Sequence, residues 1–346
     1  MDAPQSAGDL SVGSAAPAPA ISVVLAACGG FAAVRTTVSA LAAQTIRDRL
    51  ELVIVTPSAR ALGFDVAAQA VFSRVRVVET GSPVSVGRAN AQGVRWASAP
   101  IVAFAEDHAF PEPDWAERLV EAHAGPFVAV GPVVANANPA TAVSRADHLI
   151  GYGPWIAPSV THEADHLPGH NSSYKRAALL EWGDALDALL ESETLLHWRM
   201  RERGERLLLV ASARIAHVNF SRWRPWLAAQ FHAGRTFAAG RRRGMSVLRR
   251  ALYTGGSPLI PIVRLARIAR ASWRRGRTSA LPGCLHALAI GLAVDALGQA
   301  AGYALGAGSS PSALARYEFL RARHLSRRDL ADPMLARYAS ASCADR

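Results

Sequence analysis

Short apolar runs recur along the first third of the chain, and each breaks off in small residues or turn formers. Ile21-Ser22-Val23-Val24-Leu25 runs toward Gly29-Gly30, Leu50-Glu51-Leu52-Val53-Ile54-Val55 closes at Thr56-Pro57-Ser58, and Val75 to Val78 and Ile101 to Phe104 repeat the pattern. Runs of this length, apolar at nearly every position rather than alternating, read as strands covered on both faces. Between the first two, Val34, Val38, Leu41 and Ala42 recur at spacings of three and four, which predicts a helix. Strands alternating with helices in this way predict an α/β domain whose mostly parallel sheet carries helices on both faces. Ligands bind such sheets beyond the carboxyl ends of the strands. The residues that follow Leu25, Val55 and Phe104 are therefore the ones to read for chemistry.

The third position is the informative one. Phe104-Ala105-Glu106-Asp107-His108 places two carboxylates and an imidazole at a strand end, and Pro111-Glu112-Pro113-Asp114-Trp115 follows. Oxygen ligands with one imidazole suit Mn²⁺ or Mg²⁺ bridging a diphosphate. By spacing alone the same residues also describe a solvated acidic turn.

Charge divides the chain. Residues 1–220 hold 17 Lys and Arg against 22 Asp and Glu, whereas residues 221–346 hold 21 against 5. Residues 1–20, rich in Ala, Pro, Ser and Gly, read as a disordered lead-in, 21–220 as the α/β domain, and 221–346 as a basic helical region. In that region Arg264, Arg267 and Arg270 recur beside Ile262-Val263, Leu265-Ala266 and Ile268-Ala269, the pattern of a basic amphipathic helix at a lipid surface. Leu281 to Gly308 follows with Asp295 as its one charge, long enough for the ~20 residues of a spanning helix. It reads as a membrane span, an interfacial helix or a soluble hairpin. A long neutral apolar run beside the arginines favours lipid over nucleic acid as the partner. Cys28, Cys284 and Cys343 lie too far apart for a CxxC motif and read as unpaired thiols of a reducing compartment. Leu25-Ala26-Ala27-Cys28 has the look of a lipoprotein cleavage box, but no Lys or Arg precedes it and the apolar run is short, so no leader is expected.

The block from Gly87-Arg88-Ala89-Asn90-Ala91-Gln92-Gly93 through Glu106-Asp107-His108 to Pro111-Glu112-Pro113-Asp114-Trp115 resembles the family 2 glycosyltransferases with the GT-A fold. Other pieces fall in that family's order. Ser22-Val23-Val24 resembles the first strand, Gln44-Thr45 the end of the first helix, Gly169-His170-Asn171-Ser172 the acceptor-side segment, Glu191-Ser192-Glu193-Thr194-Leu195-Leu196 the helix bearing the base, and Val210 to His217 the closing strand. The resemblance implies a metal-assisted, inverting transfer of sugar from a nucleoside diphosphate donor to a hydroxyl acceptor; the basic, membrane-adjacent C-terminal region points to a lipid-linked or cell-envelope glycan as that acceptor, and the donor to the cytoplasmic face of the membrane. It implies Glu106, Asp107, His108 and His217 as ligands of Mn²⁺ or Mg²⁺, and Ala26, Ala27, Thr56, Arg88, Asn90, Glu106 and Asp107 along the donor. It further implies His170 and Asn171 on the acceptor side and Glu193 or Glu191 as the base. Two carboxylates at i and i+2 of one helix diverge by about 200°, so only one points into the site.

Several family positions differ. The first strand leads into Ala26-Ala27-Cys28-Gly29 rather than Pro-x-Tyr/Phe-Asn, the second into Thr56-Pro57-Ser58 rather than Asp-Asp-Gly-Ser, and His108 stands where many members have a ligating Asp. These changes motivate an alternative, a catalytically silent GT-A domain serving as a membrane-tethered scaffold. A nucleotidyltransferase is disfavoured because Cys28-Gly29-Gly30-Phe31 lacks a basic residue to hold a triphosphate.

Overall fold

A computed structural model describes residues 18–65, 70–157, 160–274, 276 and 281–343. Most of the expected N-terminal tail, residues 1–17, lies outside the described residues, and Ala20 already donates its N–H to the Arg49 carbonyl at 2.8 Å. The chain divides into two compact units. The first comprises residues 1–134, 159–216 and 340–346, and the second comprises 135–158 and 217–339.

In chain order the elements are β1 (Ile21–Ala26), α1 (Phe31–Ala42), β2 (Leu50–Thr56), α2 (Ala59–Leu62), β3 (Arg74–Glu79), α3 (Val86–Trp96), β4 (Ile101–Ala105), β5 (Ala109–Pro111), α4 (Trp115–Ala122) and β6 (Phe127–Asn136). Helix α5 (Ala142–Tyr152) belongs to the second unit; β7 (His162–Glu163), β8 (Ser173–Lys175), α6 (Arg176–Leu180), α7 (Ala185–Leu189), α8 (Glu193–Glu202) and β9 (Arg206–His217) follow. The second unit continues as α9 (Trp223–Arg241), α10 (Val247–Gly256), α11 (Ile260–Arg274), α12 (Leu285–Leu305), α13 (Ser310–Glu318) and α14 (Pro333–Cys343).

The sheet runs in the order β3-β2-β1-β4-β8-β6-β9-β5, with β7 on β9. Its first four strands are parallel, and β8 enters antiparallel to both β4 and β6. All four expected strands form, and β1 and β2 are buried at every position, as apolar runs covered on both faces require. The register aligns Leu25 with Ile54 and Ala105, so the carboxyl ends of β1, β2 and β4 finish side by side.

One buried position in β2 is a charge. Glu51 is fully buried and accepts from the Ser98 N–H at 2.7 Å, the Ser98 hydroxyl at 2.9 Å, Arg76 Nε at 3.1 Å and the Ser22 hydroxyl. Buried imidazoles also mark this unit. Tyr174 and His197 lie 2.8 Å apart, the Leu167 N–H donates to His197 Nδ1 at 3.3 Å, and burial pushes His197 down to about 3 and His123 down to about 4. A histidine held neutral by the fold contributes stability that is complete above its unfolded pKa near 6.5 and is lost as pH falls toward the folded value. Thermal unfolding followed from pH 7 to pH 4 should therefore show stability declining by several kcal/mol, since each tenfold loss of proton affinity on folding corresponds to about 1.4 kcal/mol. His197→Gln, which cannot charge, should flatten the decline.

The second unit is helical. A core of Val143, Ala146, Phe220, Trp226, Ala229, Cys284, Ala287 and Leu288 joins α5, α9 and α12. Asp147 of α5 fixes the start of α9, accepting from Trp226 Nε1 at 2.8 Å, Gln230 Nε2 at 3.1 Å and the Phe220 N–H at 2.9 Å; burial pushes its carboxyl up to about 6. Helices α9 and α12 approach closely through glycines: a Cβ on Gly298 would strike the Phe231 carbonyl, and one on Gly302 the Arg235 carbonyl. Within the expected apolar segment 281–308, a 3₁₀ turn and α12 form a continuous helix over Pro282–Leu305, the one described helix long and apolar enough to cross a membrane. Half of its apolar stretch is buried in the unit. Asp295, its one charge, is buried and meets Arg264 at 2.8 Å and Gln299 at 2.8 Å.

Candidate active site

The strand ends of the first unit carry six of the residues singled out in the sequence, Ala26, Ala27, Thr56, Glu106, Asp107 and His108. Ala26 ends β1, the Ala27 N–H donates to the Val55 carbonyl at 2.8 Å, and Thr56 ends β2 with its hydroxyl turned to the Ser58 carbonyl at 3.4 Å. Immediately beyond β4 come Glu106, Asp107 and His108, the last two buried. Thr37 of α1 braces this turn from below, its hydroxyl donating to the Glu106 carbonyl at 2.9 Å. The expected end of the first helix has a structural use: Gln44 accepts from the Ala116 N–H at 2.9 Å and donates to the Glu112 carbonyl at 2.8 Å, fixing the proline-containing loop.

Within the acidic turn, the three side chains take different parts. Asp107 Oδ1 lies 2.5 Å from His108 Nδ1. An ionised carboxylate only accepts, so Nδ1 carries the proton and the lone pair sits on Nε2. That Nε2 lies 3.6 Å from Glu106 Oε1, while Glu106 Oε2 accepts from Asn171 Nδ2 at 2.9 Å. An imidazole lone pair and a carboxylate oxygen thus converge, a mixed nitrogen and oxygen donor set that fits a borderline divalent ion such as Mn²⁺ better than Mg²⁺. Cys28, just past β1, senses the same cluster: burial, and then the charge of Asp107, push its thiol up to about 12.

His217 ends β9 and is buried; it is grouped with the second unit. Asn219 donates its amide N–H to the Asn136 side-chain oxygen at 3.0 Å and to the His217 carbonyl at 3.1 Å. Its own oxygen therefore faces His217 Nδ1, at 3.1 Å, which again puts the lone pair on Nε2. The ring packs 4.6 Å from that of Tyr152.

The two base candidates separate. They do not share a helix as expected, because Glu193 is the first residue of α8 while Glu191 precedes its cap, Ser192. Glu191 accepts from the Ser85 hydroxyl at the start of α3, and a Cβ on Gly87 would strike the Glu191 backbone. Burial pushes its carboxyl up, opposed by the Ser85 bond. Glu193, which unlike the half-buried Glu191 is buried, lies 2.6 Å from His170 Nδ1, and a Cβ on Gly169 would overlap its side chain, so only glycine fits there. Among the donor residues expected from α3, Asn90 is buried, whereas Arg88 is exposed and reaches Asp187 at 3.8 Å.

A three-residue 3₁₀ turn, Gly169–Asn171, thus serves both ends of the site: Asn171 holds Glu106 and His170 pairs with Glu193. Sequence reasoning missed Ser85, Thr37 and Asn219. Only Asn219 left a signal, lying two positions beyond His217.

Residues 22–183 match the family described as glycosyl transferase family 2. No curated protein matches the chain. Among solved structures, TarS of S. aureus is similar at 14% identity and a TM-score of 0.43, over 81% of this chain; the chain spans 54%, about half, of that protein's length. A mannosyltransferase from Pyrobaculum calidifontis, solved with GDP-Man and Mn²⁺, is similar at 18% identity and a TM-score of 0.45, over 94% of this chain and 86% of that one. The expected α/β fold followed by a helical C-terminal region holds.

Proposed function

We propose that the chain, whose residues 22–183 match glycosyl transferase family 2, is a glycosyltransferase that moves a sugar with inversion from a nucleoside diphosphate to a hydroxyl acceptor, with Glu193 as the base. The observation that carries this reading is the Gly169–Asn171 turn, which ties a buried carboxylate to the metal-type cluster through adjacent residues. The acceptor hydroxyl gives its proton to Glu193 as its oxygen attacks the anomeric carbon from the side opposite the diphosphate. The bond from that carbon to the diphosphate oxygen breaks, and the nucleoside diphosphate leaves with the electron pair. His170 steadies Glu193 as its charge changes. Glu191, engaged by Ser85 and set against Gly87, supports the start of α3 instead.

Glu106 and His108 would hold Mn²⁺ or Mg²⁺, which neutralises charge developing on the leaving diphosphate when bound. Asp107 acts through His108, fixing its tautomer, rather than as a ligand. Ala26, Ala27, Thr56 and Asn90 line the donor side at the strand ends, and His170 and Asn171 face the acceptor. The absence of a carboxylate at Thr56-Pro57-Ser58 leaves nucleoside recognition to other groups. A lipid-linked or cell-envelope glycan is the acceptor, met at the cytoplasmic face of the membrane, where the basic second unit supplies the attachment.

Thermal unfolding with UDP, GDP and dTDP and their sugar conjugates, with and without Mn²⁺, tests the reading, because a ligand that binds the native state raises its stability. One nucleotide should stabilise the protein in a Mn²⁺-dependent way, and His108→Ala should abolish the dependence. No shift with any of them in folded protein would overturn the catalytic assignment in favour of a silent GT-A scaffold.

A further inference from the structure

Helices α10 and α11 each have one packed face and one that is exposed among the described residues. On α10, Tyr253 packs against Tyr303 at 5.2 Å between ring centres, and Ser246 caps the first turn, accepting from the Arg249 N–H at 3.3 Å. On α11, Leu265 and Ile268 pack into the core of the unit, and Arg264 turns inward to Asp295 at 2.8 Å and the Ile150 carbonyl at 3.1 Å. The opposite faces are exposed and apolar. Val247, Leu248, Leu252, Leu259, Ile262 and Trp273 are 62–80% exposed, far more than six large side chains of a water-facing helix pair would ordinarily show.

Their spacing is orderly. Leu248, Leu252, Gly255 and Leu259 form one column at intervals of four, three and four, and Ile262, Ala266, Ala269 and Trp273 form the corresponding column on α11. Beside the latter runs Val263, Arg267, Arg270 and Arg274, also exposed. No Asp or Glu occurs from Ser221 to Val294, a stretch that holds fourteen arginines. An apolar stripe flanked by guanidinium groups, with no carboxylate along either helix, is complementary to acyl chains beneath anionic headgroups. Arginine stems lie along the apolar layer while their heads reach the phosphates.

We infer that α10 and α11 form an in-plane docking face for an anionic lipid bilayer, an inference that rests on the membrane-surface acceptor reading above. Helix α12 then stays a packed core helix, its glycines against α9 and Asp295 held by Arg264, rather than crossing the bilayer.

Flotation of the full chain with liposomes tests this. Partitioning is expected onto phosphatidylcholine vesicles that contain phosphatidylglycerol, falling with added salt, and much weaker partitioning onto phosphatidylcholine alone. The triple change Arg267→Glu, Arg270→Glu and Arg274→Glu should lower partitioning by about a hundredfold or more, and Leu248→Asp with Leu252→Asp and Ile262→Asp by at least about tenfold. All six side chains are outward, and each variant is checked by its unfolding temperature and by the nucleotide-dependent shift, both expected unchanged. Alkaline carbonate should strip the bound protein from the vesicles. Absence of flotation, undiminished flotation of both variants, resistance to carbonate, or RNA binding as strong as liposome binding and insensitive to the aspartates would each overturn the docking face. With the nucleotide shift intact, such a result leaves the glycosyltransferase reading standing; loss of the shift in wild-type protein with flotation intact sinks the catalytic reading alone.

Discussion

Glu193→Gln is expected to lower kcat by about a thousandfold, within the range general-base catalysis supplies, while leaving nucleotide-dependent stabilisation in place. Glutamine keeps the shape of the side chain and a polar atom toward His170, 2.6 Å from the present carboxylate, but cannot take the acceptor's proton. Glu191→Gln should reduce kcat by less than about tenfold, since its carboxylate serves the start of α3 through Ser85 and acts on the reaction only through position. Steady-state rates with a donor identified by thermal shift discriminate the two. A large loss in Glu191→Gln with little in Glu193→Gln would reverse the assignment and make Ser85 a partner of the base.

The largest effect on stability is expected far from the chemistry. Glu51→Ala removes the acceptor for the Ser98 N–H, the Ser22 and Ser98 hydroxyls and Arg76, all gathered around a fully buried carboxylate. Removing one partner of such a buried pair destabilises by about 3–5 kcal/mol, because the remaining charge and donors lose their compensation in a medium that cannot solvate them. At about 2–4 °C per kcal/mol for a unit of this size, the unfolding temperature should fall by about 10 °C. Glu117→Ala provides the contrast: its carboxylate meets the exposed Thr45 hydroxyl at 2.9 Å, and a change within about 0.5 kcal/mol is expected. Equal losses in the two variants would show that the Glu51 network contributes little beyond an ordinary surface contact.

Glu51 also shows where sequence reasoning stopped. A single acid inside Leu50-Glu51-Leu52-Val53-Ile54-Val55 did not disturb the strand assignment, because the run is apolar around it. That it is buried and satisfied depends on Ser22, Arg76 and Ser98, which three different segments deliver. Arg264 is a second case. Read along the helix it belongs with Arg267 and Arg270 as a lipid-facing residue, yet it turns inward because Asp295 of another helix waits there. The row that does face outward is shifted by one position, to Arg267, Arg270 and Arg274.

The sequence by itself determined the first four strands, their order of appearance, the acidic strand end and the contrast between an acidic stretch to residue 220 and a basic one beyond it. Each of these follows from side chains within one short window, where hydrophobic period and turn formers act locally. The tertiary structure alone decided that Glu191 meets Ser85 while Glu193 lies against His170, which nitrogen of His108 faces Asp107, and that Asn171 donates to Glu106. Those outcomes rest on hydrogen bonds between residues 65 positions apart for Asn171 and Glu106 and 106 apart for Ser85 and Glu191. A polar group's protonation and direction are set by whichever partner the folded chain brings to it, and no local pattern encodes that partner.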